Sequence, residues 1–183
     1  STRAGLTLEG LLLHNQGPRE SCRSRILIAT STAPLSLANC NLAVSPGMDG
    51  HSFAIQAHDA SSVQARNCLI VSWFSALLLS QPRMQCTVDN CLIVGQVTLY
   101  PGDLTDSPVG TVRLTRNTTI GSPAVVNVSG PTDPLAARLR DSNAKPVVPF
   151  LLTAEGNVCQ TSQILYLHSR TLKSPEGLPV EEQ

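Results

Sequence analysis

The chain has 183 residues, enough for one domain with a sizeable core, and only 14% of them are charged. Thirteen basic residues balance thirteen acidic ones, so bulk electrostatics draws the chain to neither nucleic acid nor an anionic membrane. No apolar run approaches the ~20 residues of a membrane span, and an aromatic content of 3% suits a narrow interior filled by Val, Ile, Leu, Ala and Cys.

The chain enters a β-prone run, 6–8, almost at once, with neither an initiator Met nor a signal peptide. This start is expected of a processed chain or a piece of a longer one, and it leaves localisation unknown. Residues 7–13 (TLEGLLL) open a series of related stretches: 35–44 (LSLANCNLAV), 62–72 (SVQARNCLIVS), 86–95 (CTVDNCLIVG), 112–121 (VRLTRNTTIG) and 152–160 (LTAEGNVCQ). Each is a short β-prone run, an Asn (Gly in the first) and a second β-prone run. The marker residues are Gly10, Asn39, Asn67, Asn90, Asn117 and Asn157, spaced by 29, 28, 23, 27 and 40. A period in the twenties with strands and no helix predicts a stacked β-solenoid of about six coils.

A further set of strands lies between the markers, at 26–29, 53–57, 76–79, 97–100, 124–128 and 164–167. Three parallel sheets follow, each strand pairing with its equivalents above and below. Segment 14–25 is polar and makes a surface excursion. Residues 129–149 enlarge the last repeat; within them Asp133 and Pro134 before LAARLR predict an N-cap, a first-turn Pro and a short amphipathic helix. The expected organisation is one domain over 1–171 and a loose tail over 172–183.

The marker Asn has a geometric reason. A sharp corner between sheets needs φ > 0, which Gly and Asn accept most readily. Stacked amides can also donate to and accept from one another, so Asn39, Asn67, Asn90, Asn117 and Asn157 are expected to form a structural ladder. Alternation then turns Val63, Ala65, Cys68 and Ile70 inward, and in the next repeat Cys86, Val88, Cys91 and Ile93. Leu114 and Ala154 stand three residues before their Asn, where Leu37, Ala65 and Val88 stand two before. One extra residue would flip the facing, so a bulge or wider turn is expected there.

Cys40, Cys68 and Cys91 share one repeat position and are expected to stack as buried free thiols. Cys22 and Cys159 lie outside it and are the more reactive pair. No CxxC and no zinc-like Cys/His spacing occurs, so no metal or cofactor is expected.

Little catalytic chemistry can be assembled on this frame. The outward positions of the interleaved strand set are Leu27, Ala54, Gln56, Leu78, Thr98, Tyr100, Val125 and Asn127, none of them charged. Calcium binding needs converging oxygens, and glycoside hydrolysis needs two facing carboxylates. The best candidate cluster is Asp49, His51, His58 and Asp59; its two histidines flank an extended strand and stand roughly 23 Å apart, too far to share a proton transfer. After the marker Asn the outward positions are Leu12, Asn41, Ala43, Leu69, Val71, Leu92, Val94 and Thr119. Leu12, Leu69, Val71, Leu92 and Val94 therefore make an apolar stripe on a face that should meet water, which calls for a partner or a covering segment.

The repeat of apolar residue, Asn, Cys or Thr, and apolar residue resembles the right-handed parallel β-helix of the pectin-lyase-like superfamily. LTLEGL, LANCNL, VDNCLIVG, VRLTRNTTIG and AEGNV resemble β-helix segments of large bacterial multidomain proteins, some of which carry a serine/threonine kinase domain. That resemblance, over about 6–167, implies an all-β, three-sheet solenoid. Its functional implication is open, because one solenoid hosts lyases, hydrolases, adhesins and inert scaffolds. Without a charged groove, the expected function is a non-catalytic scaffold or interaction module. Its partners would be other domains of the same chain or another protein. The alternatives are a carbohydrate-active lyase or hydrolase, or a glycan-binding adhesin.

Overall fold

The computed structural model describes residues 5–16, 25–31, 33–46, 51–58, 62–80, 84–100, 110–121, 124–131, 150–161 and 163–170. The helix expected within 129–149, the tail over 172–183 and Cys22 lie outside these residues. Every regular element among them is a strand: β1 (Leu6–Glu9), β2 (Leu12–Asn15), β3 (Arg25–Ser31), β4 (Leu35–Ala38), β5 (Asn41–Val44), β6 (Ser52–His58), β7 (Ser62–Arg66) and β8 (Leu69–Ser80) in the first half. The second half holds β9 (Gln85–Asp89), β10 (Leu92–Tyr100), β11 (Gly110–Thr115), β12 (Thr118–Ile120), β13 (Ala124–Pro131), β14 (Phe150–Glu155), β15 (Val158–Gln160) and β16 (Gln163–Arg170).

All pairings among these strands are parallel and join equivalent strands of successive repeats. One sheet runs β1-β4-β7-β9-β11-β14. The other takes β2, β5, β8, β10, β12 and β15 along one path and adds β3, β6, β13 and β16. Two hydrogen-bonded sheets replace the expected three because β8 and β10 run unbroken through the bend between the second and third strand sets. In β10 the bend is absorbed by register irregularities on either side of Gln96. Gly95 sits there at φ 124, and a Cβ on it would lie 2.8 Å from the Ser72 carbonyl oxygen, so the bend admits no side chain.

The interior follows the two-residue period of the strands. Leu35, Val63, Cys86 and Val112 are in register with one another, as are Leu42, Ile70 and Ile93, and all are buried. The eight residues expected to face inward in the two central repeats are all buried. Small and medium apolar residues in each row let the side chains of successive repeats stack on one another.

Neither the bulge nor the wider turn expected near Leu114 and Ala154 is present. Leu114 pairs with Val88 and Ala154 with Leu114, in unbroken register. The left-handed corner residue of these repeats is instead Arg116 (φ 56) and Gly156 (φ 63), each one place before its Asn. The expectation that Asn117 and Asn157 occupy the corner is corrected accordingly. Apolar rows fix the register, and the corner must then fall wherever the second strand ends, whichever residue is there.

Candidate functional site

The corner between the two sheets is one candidate. Gly10, Asn39, Asn67 and Asn90 adopt φ of 66, 54, 53 and 52. Asn67 Nδ2 donates to Asn39 Oδ1 at 3.2 Å, and Asn90 Nδ2 to Asn67 Oδ1 at 2.8 Å. Asn39 Nδ2 reaches Glu9 Oε1 at 3.3 Å. These three amides are exposed. Arg116 follows them in register. Its guanidinium turns back to Asp89, with Nη2 2.6 Å from Oδ2 and 2.8 Å from Oδ1, and Nε 3.1 Å from Oδ1. The Asp89 carboxylate raises the Arg116 pKa further above its ordinary value. The pairing of Arg116 with Asp89 comes from the one-place shift of the corner.

Asn117 and Asn157 fall in the row of Cys40, Cys68 and Cys91 and do other work. Asn117 is 2% exposed; its Oδ1 accepts the Cys91 N–H at 2.9 Å and its Nδ2 donates to the Val88 carbonyl at 2.9 Å. Asn157 repeats this one repeat later, on the Asn117 N–H and the Leu114 carbonyl, both at 2.8 Å. The thiols are free and buried. Within the row, hydrogen bonding to Cys68 and burial push the Cys91 thiol far above its ordinary range. Cys159 is exposed, although it stands in register with the buried Thr119.

The acid–histidine cluster is not assembled among the described residues. Asp49 and Asp59 lie outside them. His51 and His58 stand at opposite ends of β6, where His51 is exposed with its ring 4.7 Å from that of Phe74, and His58 is hydrogen-bonded to Gln56 Nε2. On the interleaved set, Ala54, Thr98 and Val125 are buried although they were expected to face water. Among the described residues no three His, Cys, Asp or Glu side chains gather as a metal site would need, and no helix is long and apolar enough to cross a membrane.

The residues of the expected outer stripe fall in two rows. Leu12, Leu69 and Leu92 occupy one outward row, and Val71, Val94 and Ile120 the next. Leu12 is 65% exposed and stands apart from Leu69, because Asn41 lies between them; Leu92 is exposed, and Leu69, Val71, Val94 and Ile120 are half-buried. Thr119, expected outward, is buried, and Ile120 takes its role through the same one-place shift.

The stripe leads into the bend of β8. There Trp73 and Phe74 are both exposed, so the alternation of the strand breaks at this point. Two buried hydroxyl networks hold the bend. Ser52 Oγ and Ser72 Oγ are 2.9 Å apart, and Ser52 Oγ accepts the Trp73 N–H at 3.0 Å. Ser75 Oγ bonds Thr98 Oγ1 at 2.9 Å, with Gln96 Nε2 3.3 Å from the same oxygen. Trp73, the chain's single Trp, is thereby held 73% exposed, beside a Phe74 that meets Phe53 edge-on at 5.8 Å. Exposure at a bend is a tertiary property, so no local pattern singles out Trp73.

These features define an all-β protein in which successive repeats pair through parallel sheets and whose one concentrated outward feature among the described residues is apolar and aromatic. Comparison with protein-family models, with curated proteins and with solved structures finds no match for this chain.

Proposed function

We propose that the chain is a non-catalytic, right-handed parallel β-helix of about six coils, similar to the pectin-lyase-like superfamily, that serves as a scaffold and interaction module. Its partner is a protein surface, either another domain of the same polypeptide or a separate chain. The observation that carries this reading is Trp73, 73% exposed two residues beyond Val71 on the strand that carries Leu69 and Val71, whose neighbours in the next repeat are Leu92 and Val94. A rigid aromatic anchor beside aliphatic side chains is the composition of protein-binding hot spots, and an apolar patch of this kind left wet is a solubility liability. The Asn39–Asn67–Asn90 ladder and the buried amides of Asn117 and Asn157 act as structural supports.

A second reading, a glycan-binding solenoid, rests on the same Trp73, because sugar rings stack on exposed indoles. The two separate by experiment. An apolar dye such as anilinonaphthalene sulfonate is expected to bind the wild type and to bind several-fold less to Trp73→Ala/Leu92→Ser, with the melting temperature within about 2 °C. Pectins, alginates and other polyuronates, with and without calcium, should give no product and leave the single-Trp emission unchanged. Turnover would overturn the non-catalytic reading, and saturable quenching by an oligosaccharide would favour the glycan-binding one.

A further inference from the structure

Cys40, Cys68 and Cys91 stand one above another beside the exposed Asn ladder, and the scaffold role makes no use of their chemistry. The backbone keeps them in step from repeat to repeat. Leu69 N–H donates to the Cys40 carbonyl and Leu92 N–H to the Cys68 carbonyl, each at 2.9 Å. Each thiol also makes the same contact with its own strand, donating to the carbonyl two residues before it. Cys40 Sγ reaches Ala38 at 3.2 Å, Cys68 Sγ reaches Arg66 at 3.2 Å, and Cys91 Sγ reaches Asp89 at 3.3 Å. The three side chains therefore share one orientation, and their equivalent atoms repeat at the strand spacing of ~4.8 Å.

That spacing decides what two neighbouring sulfurs can do. A disulfide brings its Cβ atoms to about 3.5–4.5 Å, closer than the ladder holds them. A metal ion held between two thiolates needs the sulfurs about 4.6 Å apart, twice a bond of about 2.3 Å. The ladder supplies that distance without moving a strand. Zinc takes four ligands, and among the described residues no three His, Cys, Asp or Glu side chains gather. A cation satisfied by two thiolates alone is soft and monovalent.

Of the two neighbouring pairs, Cys68 and Cys91 are the better prepared. Cys91 Sγ accepts the Cys68 N–H at 3.3 Å, a hydrogen bond that strengthens once the sulfur is a thiolate. The far side of the pair is fixed by Asn117, whose Oδ1 holds the Cys91 N–H at 2.9 Å. Loss of the two thiol protons strands no carbonyl, because Arg66 O keeps the Asn39 N–H at 3.0 Å and Asp89 O keeps the Asn67 N–H at 3.1 Å. Cys40 Sγ instead leans toward the preceding repeat, 3.5 Å from the Leu8 carbonyl. Each thiol of the pair directly follows an exposed ladder residue, Asn67 or Asn90, so the row lies just beneath the surface.

We propose that Cys68 and Cys91 bind one soft monovalent cation, Cu(I) or its congener Ag(I), between their sulfurs. Each thiol releases its proton to solvent as its metal–sulfur bond forms, and neither metal nor sulfur changes oxidation state.

Cu(I) offered to the full chain under nitrogen, in competition with the chromogenic chelator bathocuproine disulfonate, tests this. The wild type is expected to withdraw one equivalent, to gain a thiolate-to-copper absorption in the ultraviolet, and to melt at a higher temperature. Loss of a supporting hydrogen bond at a metal site already costs ~10–100-fold in affinity, so Cys68→Ser and Cys91→Ser should each bind more than about 100-fold more weakly. Both variants keep a hydroxyl that can donate to the same carbonyl. Should either lose its strand circular dichroism, Cys68→Ala or Cys91→Ala takes its place. Cys40→Ser, Cys86→Val and Cys159→Ser should bind as the wild type does. Copper left wholly with the chelator would overturn the proposal. So would a Cys68→Ser or Cys91→Ser that binds like the wild type, or a Cys40→Ser that loses as much affinity as they do.

Discussion

The repeats around Asn39, Asn67 and Asn90 and the two that follow them use the same amide for different ends. In the first group the amide sits at an exposed left-handed corner and bonds to its neighbour's amide, while a thiol occupies the buried place beside it. In the second group Arg116 or Gly156 takes the corner and the Asn moves into the thiol row. There it bridges a backbone N–H and a carbonyl on two residues of the preceding repeat. The difference shows what each place demands. The corner asks only for tolerance of φ > 0, which Gly meets outright and Arg116 meets at some steric cost. The buried row asks that backbone polar groups be satisfied, which an amide does with a full donor and acceptor and a thiol does weakly.

If that distinction holds, Asn117→Ala is the most damaging single change. It strands the buried Cys91 N–H and Val88 carbonyl together, and at about 1–3 kcal/mol for each unsatisfied group it should lower unfolding free energy by about 2–6 kcal/mol. Urea denaturation of the wild type and the variant measures this. A loss below about 1 kcal/mol would erase the contrast between the two regions.

Outside the thiol row, the buried Cys86 in the row of Val63 and Val112 should make the central repeats sensitive to alkali. Burial pushes the Cys86 thiol up to about 12 from an ordinary value of 9.0. The folded state then holds a proton that the unfolded state releases, so the stabilisation is complete below pH 9 and is lost between pH 9 and about 12. At ~1.4 kcal/mol per pH unit the loss reaches about 4 kcal/mol. Cys86→Val, matching Val63 and Val112 in the same row, should be nearly neutral at pH 7 and should remove that part of the alkaline slope. Chemical denaturation at pH 7, 9 and 10.5 checks both statements.

The smallest effect is expected at the exposed corner. Asn90→Ala loses one solvent-exposed amide bond and places an ordinary residue at φ 52, together about 1–2 kcal/mol. Asn90→Gly should recover roughly half of that, since glycine restores the backbone preference without the amide. Thermal melts of the two variants side by side sharpen the comparison, and an Asn90→Ala loss equal to that of Asn117→Ala would break it.

Much was legible in the residues alone. The alternation of Val63, Ala65, Cys68 and Ile70 named the interior, because a strand's two-residue period is local. The corner at Asn39, Asn67 and Asn90 was legible because few residues other than Asn and Gly take φ > 0 cheaply. The sequence also carried a sign of the later shift, since Leu114 stands three places before Asn117 instead of two. A bulge and a displaced corner answer that count equally well, and only the pairing of Leu114 with Val88 decides between them. Register is set by contacts between residues 26 positions apart, which no local pattern contains. For the same reason the tertiary structure alone joined two expected sheets through β8 and β10, buried Thr98 and Val125, brought Arg116 to Asp89 and left Trp73 in water. Each of these depends on which strands lie side by side, whereas period and corner depend only on the chain's own dihedral preferences.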